Sequence, residues 1–123
     1  MAEHAGYHES LDKLSPATMD RHRAIVSLME ELEAVDWYDQ RVDATDDDAL
    51  RAVLAHNRDE EREHAAMTLE WLRRNDPRWD QILRTYLFTD GPITEVEEEA
   101  TGASDAEEPS DLGLGALTRS AAR

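Results

Sequence analysis

Glu61 and His64 stand three residues apart in the run Asn57-Arg58-Asp59-Glu60-Glu61-Arg62-Glu63-His64. On a helix, that spacing sets a carboxylate and an imidazole on one face, a turn apart. Both groups are ligands for divalent metals when the carboxylate is ionised and the imidazole neutral. The pair alone is a weak signal, because an acid-rich chain with five histidines produces it by chance about as often as not. Its setting adds weight. Leu50, Leu54, Asn57, Glu61, His64, Thr68 and Trp71 recur every three to four residues, a seam with apolar ends and a ligand-like middle. A seam of this kind faces a partner helix, which would bury Glu61 and His64. Burying both is costly unless they pair or bind a metal.

The elements that must position this pair can be read on either side of it. Ser15-Pro16 is a helix start, with serine at the N-cap and proline at the first helical position. No glycine or proline interrupts the chain from there to about Val42, which is roughly 40 Å of helix. The seam of this first helix is Ala24, Leu28, Glu31, Val35, Tyr38 and Val42, and Ile25, Met29 and Leu32 widen its apolar face. Glu31 occupies a position where a leucine would be expected. The turn Ala44-Thr45-Asp46-Asp47-Asp48 is short, so the two helices must be antiparallel neighbours, with Thr45 or an aspartate capping the second. The second helix is predicted to end near Arg74, its closing arginines suiting the negative end of the helix dipole. Pro77 then opens a shorter third helix to about Phe88, and a short acidic helix is expected from Pro92 to Glu99. The fold class is all-α: an antiparallel two-helix hairpin plus a shorter third helix.

Dinuclear carboxylate bundles take a Glu from each of two helices and a Glu-x-x-His from each of the other two. This chain supplies one lone Glu31 and one Glu61-x-x-His64, which is half of such a site. Two copies about a two-fold axis would complete a four-helix bundle and its metal centre. Oxygen and imidazole ligands without sulfur suit iron or manganese, and zinc would also bind. The seam positions of all three residues favour metal over a solvated acidic face. Tyr38, two turns from Glu31, is read equally as a ligand or redox neighbour and as core packing. Glu30, Glu33 and Trp37 share an adjoining face that could guide cations, although each alone looks like solvated surface. His56, Glu60 and Glu63 also share a face, and ordinary surface is the stronger reading there.

Composition narrows the function classes. A formal net charge of −16 argues against nucleic acid and against anionic membrane surfaces. The absence of cysteine excludes disulfides, thiolate metal sites and thiol catalysis. Residues 1–10 carry no apolar signal core and no stretch reaches membrane-spanning length, so a cytoplasmic protein is expected. At 123 residues there is one domain at most, and a lone hairpin buries so little core that self-association is expected. The organisation reads as a flexible terminus at 1–14 containing His4 and His8, a helical domain at 15–99, an acidic linker at 100–111 and a terminal segment at 112–123. Leu112-Gly113-Leu114-Gly115-Ala116-Leu117 is an apolar motif at the end of a polar linker, which suits a docking peptide.

Several stretches together resemble the encapsulated ferritins, the two-helix ferritin-like proteins packaged inside encapsulin shells. They are Arg21-His22-Arg23-Ala24-Ile25-Val26, Met29-Glu30-Glu31-Leu32-Glu33-Ala34-Val35-Asp36-Trp37-Tyr38, the run from Ala55 to Arg74, and Arg84-Thr85-Tyr86-Leu87-Phe88-Thr89. The resemblance implies a decameric ring built from dimers, with a diiron ferroxidase centre at one dimer interface. It implies Glu31, Glu61 and His64 as iron ligands and Tyr38 as the tyrosine beside them. Glu30 and Glu33, with Trp37 adjacent, would form a cation site on the approach route, where calcium can also sit. His56, Glu60 and Glu63 would form a peripheral metal site. The segment 112–123 would load the protein into the lumen of an encapsulin nanocompartment. The function this implies is oxidation of Fe2+ to Fe3+ by O2, with iron delivered for mineral storage. Two other readings stand beside it: a metal-stabilised helical binding module, and a peroxidase of the rubrerythrin kind. The latter usually carries a cysteine-bound iron that this chain has no residue to hold.

Overall fold

A computed structural model describes residues 6–97, and these are all-helical. One 3-10 turn, Leu11–Lys13, precedes α1 (Pro16–Ala44), α2 (Asp48–Asn75) and α3 (Pro77–Tyr86). Residues 93–97 are also helical, which accords with the expected acidic helix as far as residue 97. The linker at 100–111, the terminal segment at 112–123 and His4 lie outside the described residues. The chain divides into two compact units, Met1–Leu72 and Arg73–Arg123, with the boundary inside the last turn of α2.

Local chemistry accounts for the helix ends. Ser15 Oγ accepts from the Thr18 amide at 3.1 Å and Pro16 fills the first helical position, where no amide donor is needed. Asp47 caps α2: its Oδ1 accepts from the Leu50 amide at 3.0 Å. Thr45 instead shapes the turn, its Oγ1 accepting from the Asp47 amide at 3.2 Å. α3 is capped by Asp76, which accepts from the amides of Arg78 at 3.1 Å and Trp79 at 3.4 Å. It stops at Tyr86, two residues short of Phe88: Leu87 is already extended with ψ 145°, and Phe88 takes a left-handed conformation with φ 61°. That is the position after a helix end where glycine is usual.

Within the first unit, polar ties run across the antiparallel pair. Arg51 donates from Nε to the Val42 carbonyl at 3.2 Å and from Nη2 to the Thr45 carbonyl. Arg58 donates from Nη1 to Asp39 Oδ1 at 2.8 Å. His64 lies against Glu31. Each step forward on α2 meets an earlier residue on α1.

The facing seam of α2 departs from the one expected at its ends, while Leu54, Asn57, Glu61, His64 and Thr68 are half-buried. Ala65 and Leu72 are its buried residues, whereas Leu50 and Trp71, at the ends of the sequence-derived seam, are 47% and 39% exposed. The residues that tie to α1 or are buried therefore run Arg51, Arg58, Glu61, His64, Ala65 and Leu72. Leu50, Val53, Met67 and Trp71 form a second stripe, exposed and apolar, that passes through His64 at helical spacing. The α1 seam Ala24, Leu28, Glu31, Val35, Tyr38 and Val42 is half-buried throughout, and α1 has no fully buried residue. Ile25, Met29 and Leu32 are exposed beside it.

In the second unit, Asp80 is buried and accepts from Arg84 Nε at 3.0 and 3.1 Å and from Arg73 Nη1. Tyr86 donates its hydroxyl to Glu97 at 3.0 Å.

Candidate metal centre

The antiparallel register brings Glu31 of α1 beside Glu61 and His64 of α2. His64 Nδ1 is 3.5 Å from Glu31 Oε2 and 3.6 Å from Glu61 Oε2. Among the described residues, these three are the one set of three or more metal-ligand side chains that could share an ion, one ligand atom from each lying within 4.8 Å of the others. The sequence-derived expectation of burial is corrected here. Glu31 and Glu61 keep 26% and 24% of their side-chain exposure and His64 keeps 42%. Two helices make a ridge and cannot enclose a site, so one side stays open. The open side is the His64 side, along the exposed apolar stripe of α2.

The electrostatics set two carboxylates against each other at this cluster. The Glu31 carboxyl is held above its ordinary value of 4.5, first by its hydrogen bond with Glu61, then by burial and the Glu61 charge. His64 opposes this from the other side. Two carboxylates this close resist being ionised together. Once both ionise, their two charges match one divalent cation, and a neutral His64 offers a third ligand. Three protein ligands leave coordination positions free for substrate or solvent. The donor set therefore fits a divalent ion of the iron type.

The other candidates are placed differently. Tyr38 is half-buried, and the Arg41 guanidinium lies 5.2 Å from its ring centroid, a cation–π contact. Glu30 is exposed, Glu33 is half-buried, and Trp37 is 48% exposed on the same helix. His56 Nε2 pairs with Glu60 Oε1 at 3.0 Å. Glu63 is exposed and makes no shared-ion set with them. Sequence reasoning missed Arg51 and Arg58, which tie α2 to α1. Their signal was the seven-residue spacing that continues through Ala65 to Leu72.

Comparison with known proteins places this geometry in a family setting. Residues 6–90 match the family model described as EncFtn-like. An encapsulated ferritin-like protein of Rhodospirillum rubrum is 59% identical over 94% of this chain and 89% of its own length. A ferritin-like protein of Thermotoga maritima is 59% identical over 88% of this chain and 94% of its own. Among solved structures, a crystal structure of a protein from Nitrosomonas europaea superposes with a TM-score of 0.68 at 64% identity, covering 72% of this chain and 97% of that one.

Proposed function

The chain belongs to the EncFtn-like family, and on that premise we propose that it is a ferroxidase whose complete centre is shared by two copies. The observation that carries this reading is the Glu31, Glu61 and His64 set, with its ligand atoms within 4.8 Å and its histidine side open. One copy offers three ligands, enough for one Fe2+. A second copy related by a two-fold axis would cover the stripe of Leu50, Val53, Met67 and Trp71 and bring a second set, giving four carboxylates and two imidazoles for an iron pair.

Fe2+ is the substrate. The net charge of −16 raises the local concentration of cations, and Glu30 and Glu33, beside Trp37, are proposed as a cation site on the approach, open to calcium as well. Glu31, held above its ordinary value, gives up its proton as the ion arrives, and Glu31 and Glu61 supply the compensating charge. His64 fixes orientation through a ring nitrogen. The two Fe2+ together give two electrons to O2, the proposed acceptor, which takes up two protons and leaves as hydrogen peroxide, and Tyr38 stands as the neighbouring aromatic. His56, Glu60 and Glu63 are proposed as a peripheral metal site.

The partner reading extends from the relative whose name describes it as encapsulated. We place this protein inside an encapsulin shell, in rings of ten copies, loaded by residues 112–123, with Fe3+ stored in the shell lumen. Anaerobic loading with Fe2+ followed by air tests the chemistry. Glu31→Ala, Glu61→Ala and His64→Ala should each slow oxidation by at least about tenfold, and wild-type rates in all three would end the assignment. Deletion of 112–123 should leave oxidation intact and abolish co-purification with the shell; continued encapsulation would put the loading signal elsewhere.

A further inference from the structure

We propose that Arg58 is a positioning residue for the metal centre: tied to Asp39 across the hairpin, it fixes the register that holds Glu31 opposite Glu61 and His64. The inference rests on the metal-binding reading of those three residues and adds to it a residue that binds no metal.

Apolar packing alone does little to stop α1 and α2 sliding. Ala65 and Leu72 are the buried residues of α2, and α1 has none. The short turn between Ala44 and Asp48 fixes one end of the hairpin, and polar ties help hold the register beyond it. Arg51 bonds to carbonyls at the hairpin turn, ten residues before Glu61. Arg58 lies one helical turn before Glu61, on the seam that meets α1. Its side chain is only 20% exposed, although it carries a full charge. Its Nη1 donates to Asp39 Oδ1 at 2.8 Å. Its Nε is buried without a hydrogen-bond acceptor, the Asp59 carboxylate standing off at 3.6 Å. A buried donor left unmatched is unfavourable, so the guanidinium keeps this place through its bond to α1. The cluster it braces sets two carboxylates, Glu31 and Glu61, against one imidazole, at 3.5 and 3.6 Å from His64 Nδ1. Its action on the centre is through geometry.

The test uses the full chain and Co2+ as the probe, titrated anaerobically and followed by its visible d–d bands. Asp39 is 60% exposed at its side chain, so Asp39→Asn should fold normally. Asp39→Asn and Arg58→Gln should each weaken Co2+ binding by about tenfold, the scale seen when groups supporting metal ligands are lost. The exchange Asp39→Arg with Arg58→Glu should recover most of that loss. Thermal unfolding of the metal-free proteins separates stability from positioning, because a merely structural role would lower the melting temperature and leave the affinity of the folded protein unchanged. Single variants that bind Co2+ within twofold of wild type, or an exchange variant no better than the singles, would overturn the proposal. A wild-type chain whose Co2+ binding is unaffected by Glu31→Ala would instead overturn the metal-site reading beneath it.

Discussion

Asp80→Ala should be the most damaging single change in the second unit. The carboxylate is 3% exposed and is held by Arg84 Nε at 3.0 and 3.1 Å and by Arg73 Nη1. Without it, Arg84 and Arg73 lose the buried carboxylate they share. Removing one partner of a buried ion pair costs about 3–5 kcal/mol. The arginine side chains keep 26% and 30% of their exposure, so water offsets part of the loss and the low end, about 3 kcal/mol, applies. At about 4–8 °C per kcal/mol for a small domain, the melting temperature should fall by about 12–24 °C. Circular dichroism melts at one fixed protein concentration with a chelator present would measure this without contributions from assembly or metal. Asp80→Leu combined with Arg73→Met and Arg84→Met should restore most of the loss, because it removes the charges together with their pairing. A shift below about 4 °C for Asp80→Ala, which is under roughly 1 kcal/mol, would show that the ion pairs contribute little and would refute the reasoning.

Two further outcomes follow from the first unit. Because the Glu31 carboxyl lies above 4.5 in the folded chain, its stabilising contribution to the metal-free protein is full below pH 4.5 and is lost as pH rises through the raised value. Metal binding must expel that proton, so Co2+ affinity should drop as pH falls through the same range, and calorimetry in buffers of different ionisation enthalpy should detect the released proton. Glu31→Gln should remove the stability trend, and a persisting trend would assign it to another group. On the exposed stripe, Met67 is 63% exposed, so Met67→Glu should leave the metal-free fold intact while shifting sedimentation toward smaller species; unchanged association would move the self-contact to a different face.

Much of the hairpin was legible in the chain because helix signals are local. Ser15, Pro16, Asp76 and Pro77 act within one turn of themselves, and the structure starts α1 and α3 where they direct. The α1 seam was legible for the same reason, since periodicity along one helix needs no partner to be read. The face of α2 was harder. Leu50 and Trp71 look like seam residues by type, yet Arg51, Arg58, Ala65 and Leu72 share the buried or tied face. A long arginine can lie between helices when its nitrogens find carbonyls or a carboxylate on the other side, and composition does not announce those partners. Asp80 was missed because its two arginines come from different helices.

The sequence by itself determined that Glu61 and His64 share a face and that Glu31 lies in the matching seam of a neighbouring helix. Three-residue spacing on a helix leaves no other outcome. Only the tertiary structure decided that the three reach within 4.8 Å and that His64 keeps an open side. Those facts depend on how far two antiparallel helices slide and turn against each other, and bonds such as Arg58 to Asp39, between residues 19 apart in the chain, set that.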